Sequence, residues 1–219
     1  MGGEPLRSFA SQAMPVISDV TFAELLADPY PTFKRARDMA ALVRVEAANI
    51  TIATRFDDIM TMERDPLVFS SENPQSLVNK VMGHTMMRKD GEAHARERRA
   101  IEPSLRPGAV KGCWAPKMEA MVDRIISSFE RDGKADLFEA LAAPVAGDAL
   151  AEVLGLPDVD WQTMAQWSQW LIDGAGNYSS DPDVSRRAAE AARGVEEAID
   201  RVLPFHRQNP NASILSSMI

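Results

Sequence analysis

Asp90-Gly91-Glu92-Ala93-His94-Ala95-Arg96-Glu97-Arg98-Arg99 is the stretch on which the reading of this chain turns. An acidic residue stands where a helix cap would, and a histidine and an arginine follow at a spacing of four. Residues four apart lie one above the other on the same face of a helix. An imidazole and a planar guanidinium aimed the same way form a clamp suited to a carboxylate. Arg96 and Arg99 are expected to face elsewhere, with Glu92 pairing to Arg96 one turn on, on the solvent side.

Outward from this segment the pattern changes in both directions. From Phe69 to Lys89 no period is evident; Pro74, Asn79 and Gly83 punctuate the stretch, and Met82, Met86 and Met87 supply flexible apolar contact. A loop of that length inside a compact domain is usually functional or disordered. Downstream, Ala100-Ile101-Glu102-Pro103-Ser104-Leu105-Arg106-Pro107 reads as a proline-rich exit from a short helix.

Nearer the amino end, residues 1–20 read as an extended leader. Thr21 and Glu24 have capping-box spacing. Pro29-Tyr30-Pro31 breaks the chain before a helix from Thr32 to about Ala41. Val43–Glu46 and Ile50–Thr54 are short, β-branched and alternating, which predicts a hairpin. Phe56 to Arg64 returns to helical spacing and ends at Asp65-Pro66.

Beyond residue 107 almost everything is helical. Met118, Met121, Val122, Ile125, Ile126 and Phe129 form one stripe, closed by Asp132-Gly133. The next helix runs to Leu154 and stops at Gly155-Leu156-Pro157; Pro144 within it should kink the helix or move its start. Trp161 to Leu171 forms another, which breaks up at Gly174-Ala175-Gly176-Asn177. A long helix from about Asp183 to Arg207 carries Val184, Ala188, Ala191, Val195, Ile199 and Val202 on one side. Ala212 to Ile219 begins a last one.

Composition narrows the class. The 219 residues are 45% hydrophobic and 26% charged with a net charge of −8, ordinary for a globular protein. That balance, with no basic block, argues against a nucleic-acid surface. The single Cys113 forms no internal disulfide framework and suits a reducing compartment. No signal peptide and no membrane-length apolar run is present, so a cytoplasmic protein without membrane partners is expected. His84, His94 and His206 are too scattered to make a zinc site with Cys113, and no phosphate loop or Gly-x-Ser-x-Gly elbow occurs.

The Asp90–Arg99 segment resembles the C-helix signature of the cytochromes P450. Around it, Phe56-Asp57-Asp58-Ile59, then Phe69-Ser70-Ser71-Glu72, then Glu152-Val153-Leu154-Gly155-Leu156-Pro157, and finally Arg207 through Pro210 to Ile214-Leu215-Ser216 are similar, in the same order, to stretches of soluble bacterial members. The resemblance implies a mainly α fold with a small β-sheet near the amino terminus, running from helix A to the start of helix H. Residues 21–219 would be the amino-terminal part of a single domain, cut before the I helix. It further implies that His94 and Arg98 hold the propionates of haem b. Met82, Met86, Met87, Leu171 and Gly174 would border a small organic substrate. The intact enzyme would insert oxygen from O₂ using electrons from a ferredoxin- or flavin-type donor. The family's iron-ligating cysteine sits in a glycine- and phenylalanine-rich loop unlike Gly112-Cys113-Trp114-Ala115-Pro116, so Cys113 is expected to pack and not to ligate, and the chain by itself not to be a competent monooxygenase. A second expectation is a haem-free helical binding or scaffold module built on the same half-fold.

Overall fold

The structure, a computed structural model, describes residues 13–219. They divide into two compact units, up to Ser70 and from Ser71 onward. The leader expected over residues 1–20 lies outside the described residues as far as residue 12.

In the first unit, β1 (Val16–Ile17) runs parallel to β2 (Leu42–Val45), which pairs antiparallel with β3 (Ile50–Ala53). The predicted hairpin is therefore present, and it gains a third strand from the leader. Alternation decides its faces: Val43 and Val45 are buried while Leu42 and Arg44 are half-buried. Asn49 closes the turn in the left-handed region, φ 53°, which asparagine tolerates better than most residues. Ile17, Ala36 and Val43 form the core, with Val20, Ala40 and Ile52 around them. Ala36 comes from α2 (Tyr30–Met39), which starts two residues earlier than expected. Pro31 lies in its first turn, where a missing N–H breaks nothing. Before it, α1 (Phe22–Ala27) carries the complete Thr21/Glu24 capping box; α3 (Phe56–Glu63) follows the sheet.

The second unit is helical. It comprises α4 (Leu77–Met82), α5 (Gly91–Leu105), α6 (Pro107–Ala109), α7 (Ala115–Phe129), α8 (Ala143–Leu154), α9 (Trp161–Ala175), α10 (Pro182–Gln208) and α11 (Ile214–Ser217). Its core gathers Ala151, Leu156, Val159, Met164, Ala198, Val202 and Leu215, with Leu154, Trp167 and Ile199 packed against them. The expected stripe of α10 is the inward one, with Ala188, Ala191 and Val202 buried.

Two wide π-type turns occur, at Val110–Trp114 and Phe138–Ala142. Each ends two residues before a proline, Pro116 and Pro144. Proline has no N–H for the carbonyl four residues back and clashes with it in a regular helix. A π-turn relieves that conflict by opening the ladder there. The disturbance expected at Pro144 thus takes this form, and Pro116 produces the same one.

A buried histidine ties the unit together. His206, in α10, is 2% exposed. Its Nε2 donates to the Gly155 carbonyl at 2.7 Å, while Nδ1 lies 3.2 Å from the Asn211 amide nitrogen. Gly155 ends α8 in the left-handed conformation, φ 92°. Asn211 in turn accepts the Ser213 N–H, and Ser213 caps α11. Close approach is built in at Gly147 of α8, where a Cβ would stand 2.8 Å from the backbone of Trp161.

The stretch from Phe69 to Lys89, expected without regular structure, contains α4 and a 3₁₀ turn, Met86–Arg88. Six residues are too few for a helical period to register in sequence. Tertiary packing supplies the stability that so short a helix lacks by itself.

Two outcomes are expected. Gly147→Ala gains about 1 kcal/mol of helix propensity but forces a rigid backbone apart, a cost of about 1–3 kcal/mol; the net result in thermal denaturation is a lower midpoint. Lys89 and Glu97 form an ion pair between the 3₁₀ turn and α5, and that hydrogen bond holds the Glu97 carboxyl below its ordinary 4.5. A depressed folded value means stabilisation that is present above the ordinary range and lost as pH falls through the lowered one. The midpoint difference between the native chain and Glu97→Gln should therefore be visible near neutral pH and close on acidification; a difference that persists in acid refutes this.

Candidate functional site

His94 and Arg98 sit one turn apart on α5, as the spacing requires. His94 is half-buried and Arg98 exposed. Among the described residues no hydrogen bond or ion pair engages either side chain, whereas Lys89 pairs with Glu97 and Arg99 with Glu92. Glu92 bonds Arg99 and not Arg96 as expected. Seven residues bring a side chain back to within about 20° of the same helical stripe, four only to about 40°, so the longer reach is the better aligned one.

Asp90 occupies the cap position, yet its carboxylate makes no capping bond to the helix. It accepts the Ser71 N–H instead, at 3.0 and 3.3 Å. Gly91 follows with φ 54°, a turn that favours glycine. The acid thus anchors the preceding chain to the head of α5. The helix also runs through Pro103 to Leu105, longer than the short helix with a proline-rich exit that the sequence suggested.

The opposite side of α5 is fastened to the core. Ser217 of α11 donates to the Ala100 carbonyl at 2.9 Å and lies 3.3 Å from the Ser104 hydroxyl. The Trp114 indole donates to the Ser104 carbonyl at 2.7 Å. These contacts lie roughly 120° around the helix from His94 and Arg98, and among the described residues none of these bonds engages the clamp face.

On the other flank, the 3₁₀ turn packs against α5. The His84 ring meets the Arg88 carbonyl at 2.9 Å through Nε2, and Lys89 pairs with Glu97. Asn79 Oδ1, Thr85 Oγ1 and Arg88 Nε are all buried without a hydrogen-bond partner. The sequence marked Asn79 only as punctuation and gave no sign of the other two beyond their place in the segment leading to His94.

The residues expected around a substrate are placed separately. Gly174 is buried, and a Cβ there would meet Ala188 and Val81 at 2.4 and 3.0 Å, so it lets α9 approach α10 and α4. It lines a cleft of about 370 Å³ with Leu77, Lys80, Val81 and Arg193. Met82, Met86 and Leu171 are half-buried, Met87 is 58% exposed, and none of the four lines that cleft. Asn177, unnoticed in sequence, builds its rim. It is 9% exposed and bonds the Asp181 N–H and carbonyl and the Ser185 hydroxyl at 2.8–2.9 Å.

Cys113 lies in the turn before α7, beside a different cavity shared with Trp114, Lys117 and His206. The Lys117 ammonium stands over the Trp114 ring at 5.3 Å and pairs with Glu152, whose hydrogen bond raises the lysine above its ordinary value.

No family model matches the chain. Among characterised proteins, the cytochrome P450 monooxygenase PikC of Streptomyces venezuelae is 24% identical over 205 residues, covering 90% of this chain and 47% of its own length. Biflaviolin synthase CYP158A1 of Streptomyces coelicolor is 27% identical, covering 57% of this chain and 32% of its own. Of solved structures, CalO2 superposes with a TM-score of 0.72 at 22% identity over 90% of this chain and 51% of that one. P450BioI, crystallised in complex with an acyl carrier protein ligated to hexadec-9Z-enoic acid, also reaches 0.72, at 14% identity over 89% and 52%. The chain spans about half the length of the relatives it matches most extensively. Its sequence is similar to those of bacterial cytochromes P450, and its fold is that of the matching half of their solved structures.

Proposed function

We propose that this chain is the haem-binding part of a cytochrome P450 monooxygenase, with His94 and Arg98 holding a haem propionate. The observation that carries the reading is the unpartnered pair itself. Imidazole and guanidinium both donate hydrogen bonds, stand on one face of a helix fixed from behind, and among the described residues bond to no acid. A carboxylate fits that donor set, since charge-assisted bonds to an anion are about twice as strong as neutral ones. When bound with a thiolate on its iron, haem b supplies the activation of O₂ for insertion of one oxygen atom into a small organic substrate.

What these residues contribute is binding and orientation. His94 and Arg98 set the edge of the porphyrin from which its carboxylates project. Met82, Met86, Met87, Leu171 and Gly174 are proposed to border the substrate, and residues 21–219 to belong to one domain of the enzyme. Cys113 is read as a packing residue, and no metal ligand is proposed within the chain. Electrons from a ferredoxin- or flavin-type donor and a cytoplasmic setting complete the reading. Among the described residues no helix is long and apolar enough to cross a membrane.

The test is a Soret titration of the purified chain with haemin and with haemin dimethyl ester, whose propionates are blocked. The native chain should prefer haemin. Arg98→Ala should weaken haemin binding by about tenfold, the lower end of what one charge-assisted bond contributes, and His94→Ala by a similar factor. Equal affinity for acid and ester in the native chain would remove the propionate clamp.

A further inference from the structure

The cleft of about 370 Å³ between α4, α9 and α10 has a lining of two characters. Leu77 and Val81 of α4 and Ala189 and Ala192 of α10 make it apolar. The alanines keep the α10 wall low, while Gly174 brings α9 up against Ala188 and Val81. Its volume is at the small end of ligand pockets, which span about 300–1,000 Å³. Ala189, Ala192, Arg193 and Glu196 recur at three and four along α10 and so share one face of it.

Two cations line the same cleft from separate helices, Lys80 of α4 and Arg193 of α10. Among the described residues no ion pair engages either, although Glu196 stands one turn from Arg193 and lines the cleft too. Lys89, Arg99, Lys117, Arg124 and Arg186 of the same unit all pair with acids. Two cations against one acid leave this lining with a positive excess.

The rim is held in a strained form. Ser180 lies at φ 58°, a left-handed conformation that serine adopts at a cost. The buried Asn177 keeps it there. Its amide nitrogen donates to the Asp181 carbonyl and the Ser185 hydroxyl, and its oxygen accepts from the Asp181 N–H and the Ser179 hydroxyl. The Ser180 N–H closes the turn on the Asn177 carbonyl, while its side chain lines the cleft. Strain kept by surroundings that over-determine it gathers at ligand clamps.

We infer that this cleft binds a small amphipathic anion. Lys80, Arg193 and the Ser180 hydroxyl hold its carboxylate or phosphate, and its apolar body lies against Leu77, Val81 and the α10 alanines. Such a ligand joins the six-residue α4 to the 27-residue α10. The inference goes beyond the haem reading: it uses neither His94 nor Arg98, and of the residues proposed to border substrate it shares only Gly174.

The test is calorimetric titration of the purified chain with octanoate, octyl phosphate and 1-octanol, which share one apolar body, and with inorganic phosphate, which has none. Octanoate or octyl phosphate should bind about tenfold tighter than octanol, the tighter of the two naming the headgroup, and inorganic phosphate should bind more weakly than its octyl ester. Arg193→Gln and Lys80→Gln should each weaken anion binding by about five- to tenfold and leave octanol unaffected. Glu196→Gln, which removes the acid from the lining, should tighten it by about threefold. The bound anion should also slow amide hydrogen exchange across Leu77–Met82. Octanol binding as tightly as both anions would reduce the cleft to an apolar surface and overturn the inference. So would anion affinity unchanged in both Arg193→Gln and Lys80→Gln, or protection confined to helices other than α4, α9 and α10. Absence of saturable binding by either anion overturns it outright.

Discussion

The buried bond from His206 to the Gly155 carbonyl is the constraint from which the second unit's order follows. One ring holds the end of α8 with Nε2 and the Asn211 amide with Nδ1. Asn211 fixes Ser213, Ser213 caps α11, and Ser217 of α11 reaches across to the Ala100 and Ser104 side of α5. A chain of short polar contacts thus runs from the end of α8 to the back of the helix that carries His94 and Arg98. A satisfied buried network of this sort selects one arrangement of its helices, because every partial alternative strands a donor or an acceptor. The backbone beneath the clamp is held in place for that reason.

That contrast between back and front organises the electrostatics of α5. Glu92 is taken by Arg99, Glu97 by Lys89 and the cap residue Asp90 by Ser71. Glu102 stands one turn beyond Arg98 on the same stripe, yet among the described residues no ion pair joins the two. The site is a local surplus of positive character in a chain of net charge −8, so it cannot be found from overall charge.

Much of the architecture was legible because its signals are periodic. The stripes of α7 and α10, the hairpin, the capping box at Thr21 and the stop at Gly155 all depend on local chemistry that repeats or terminates a pattern. The pair His94 and Arg98 could be placed on one face for the same reason. What escaped depends on tertiary contact. The six residues of α4 are helical because Val81 finds a glycine at 174. Asp90 turns from its helix because Ser71 offers an amide. Arg88 looks like one more surface cation in sequence, and only burial separates it from Arg96.

The two π-turns have a consequence for how this architecture can change in length. A π-turn accommodates one residue more than a regular helix would over the same rise, so the residues after it face about 100° away from where an uninterrupted count would put them. The inward stripe of α7 is in phase with the core only on the far side of the Val110–Trp114 turn. Removing one residue there would straighten the ladder, return Pro116 to the clash that the bulge relieves, and rotate the preceding segment, with Trp114 and its bond to Ser104, off its seat. Gains and losses of single residues are therefore not interchangeable along this polypeptide. At the prolines the extra residue is part of the frame, and homologous chains can be aligned through them only if it is counted.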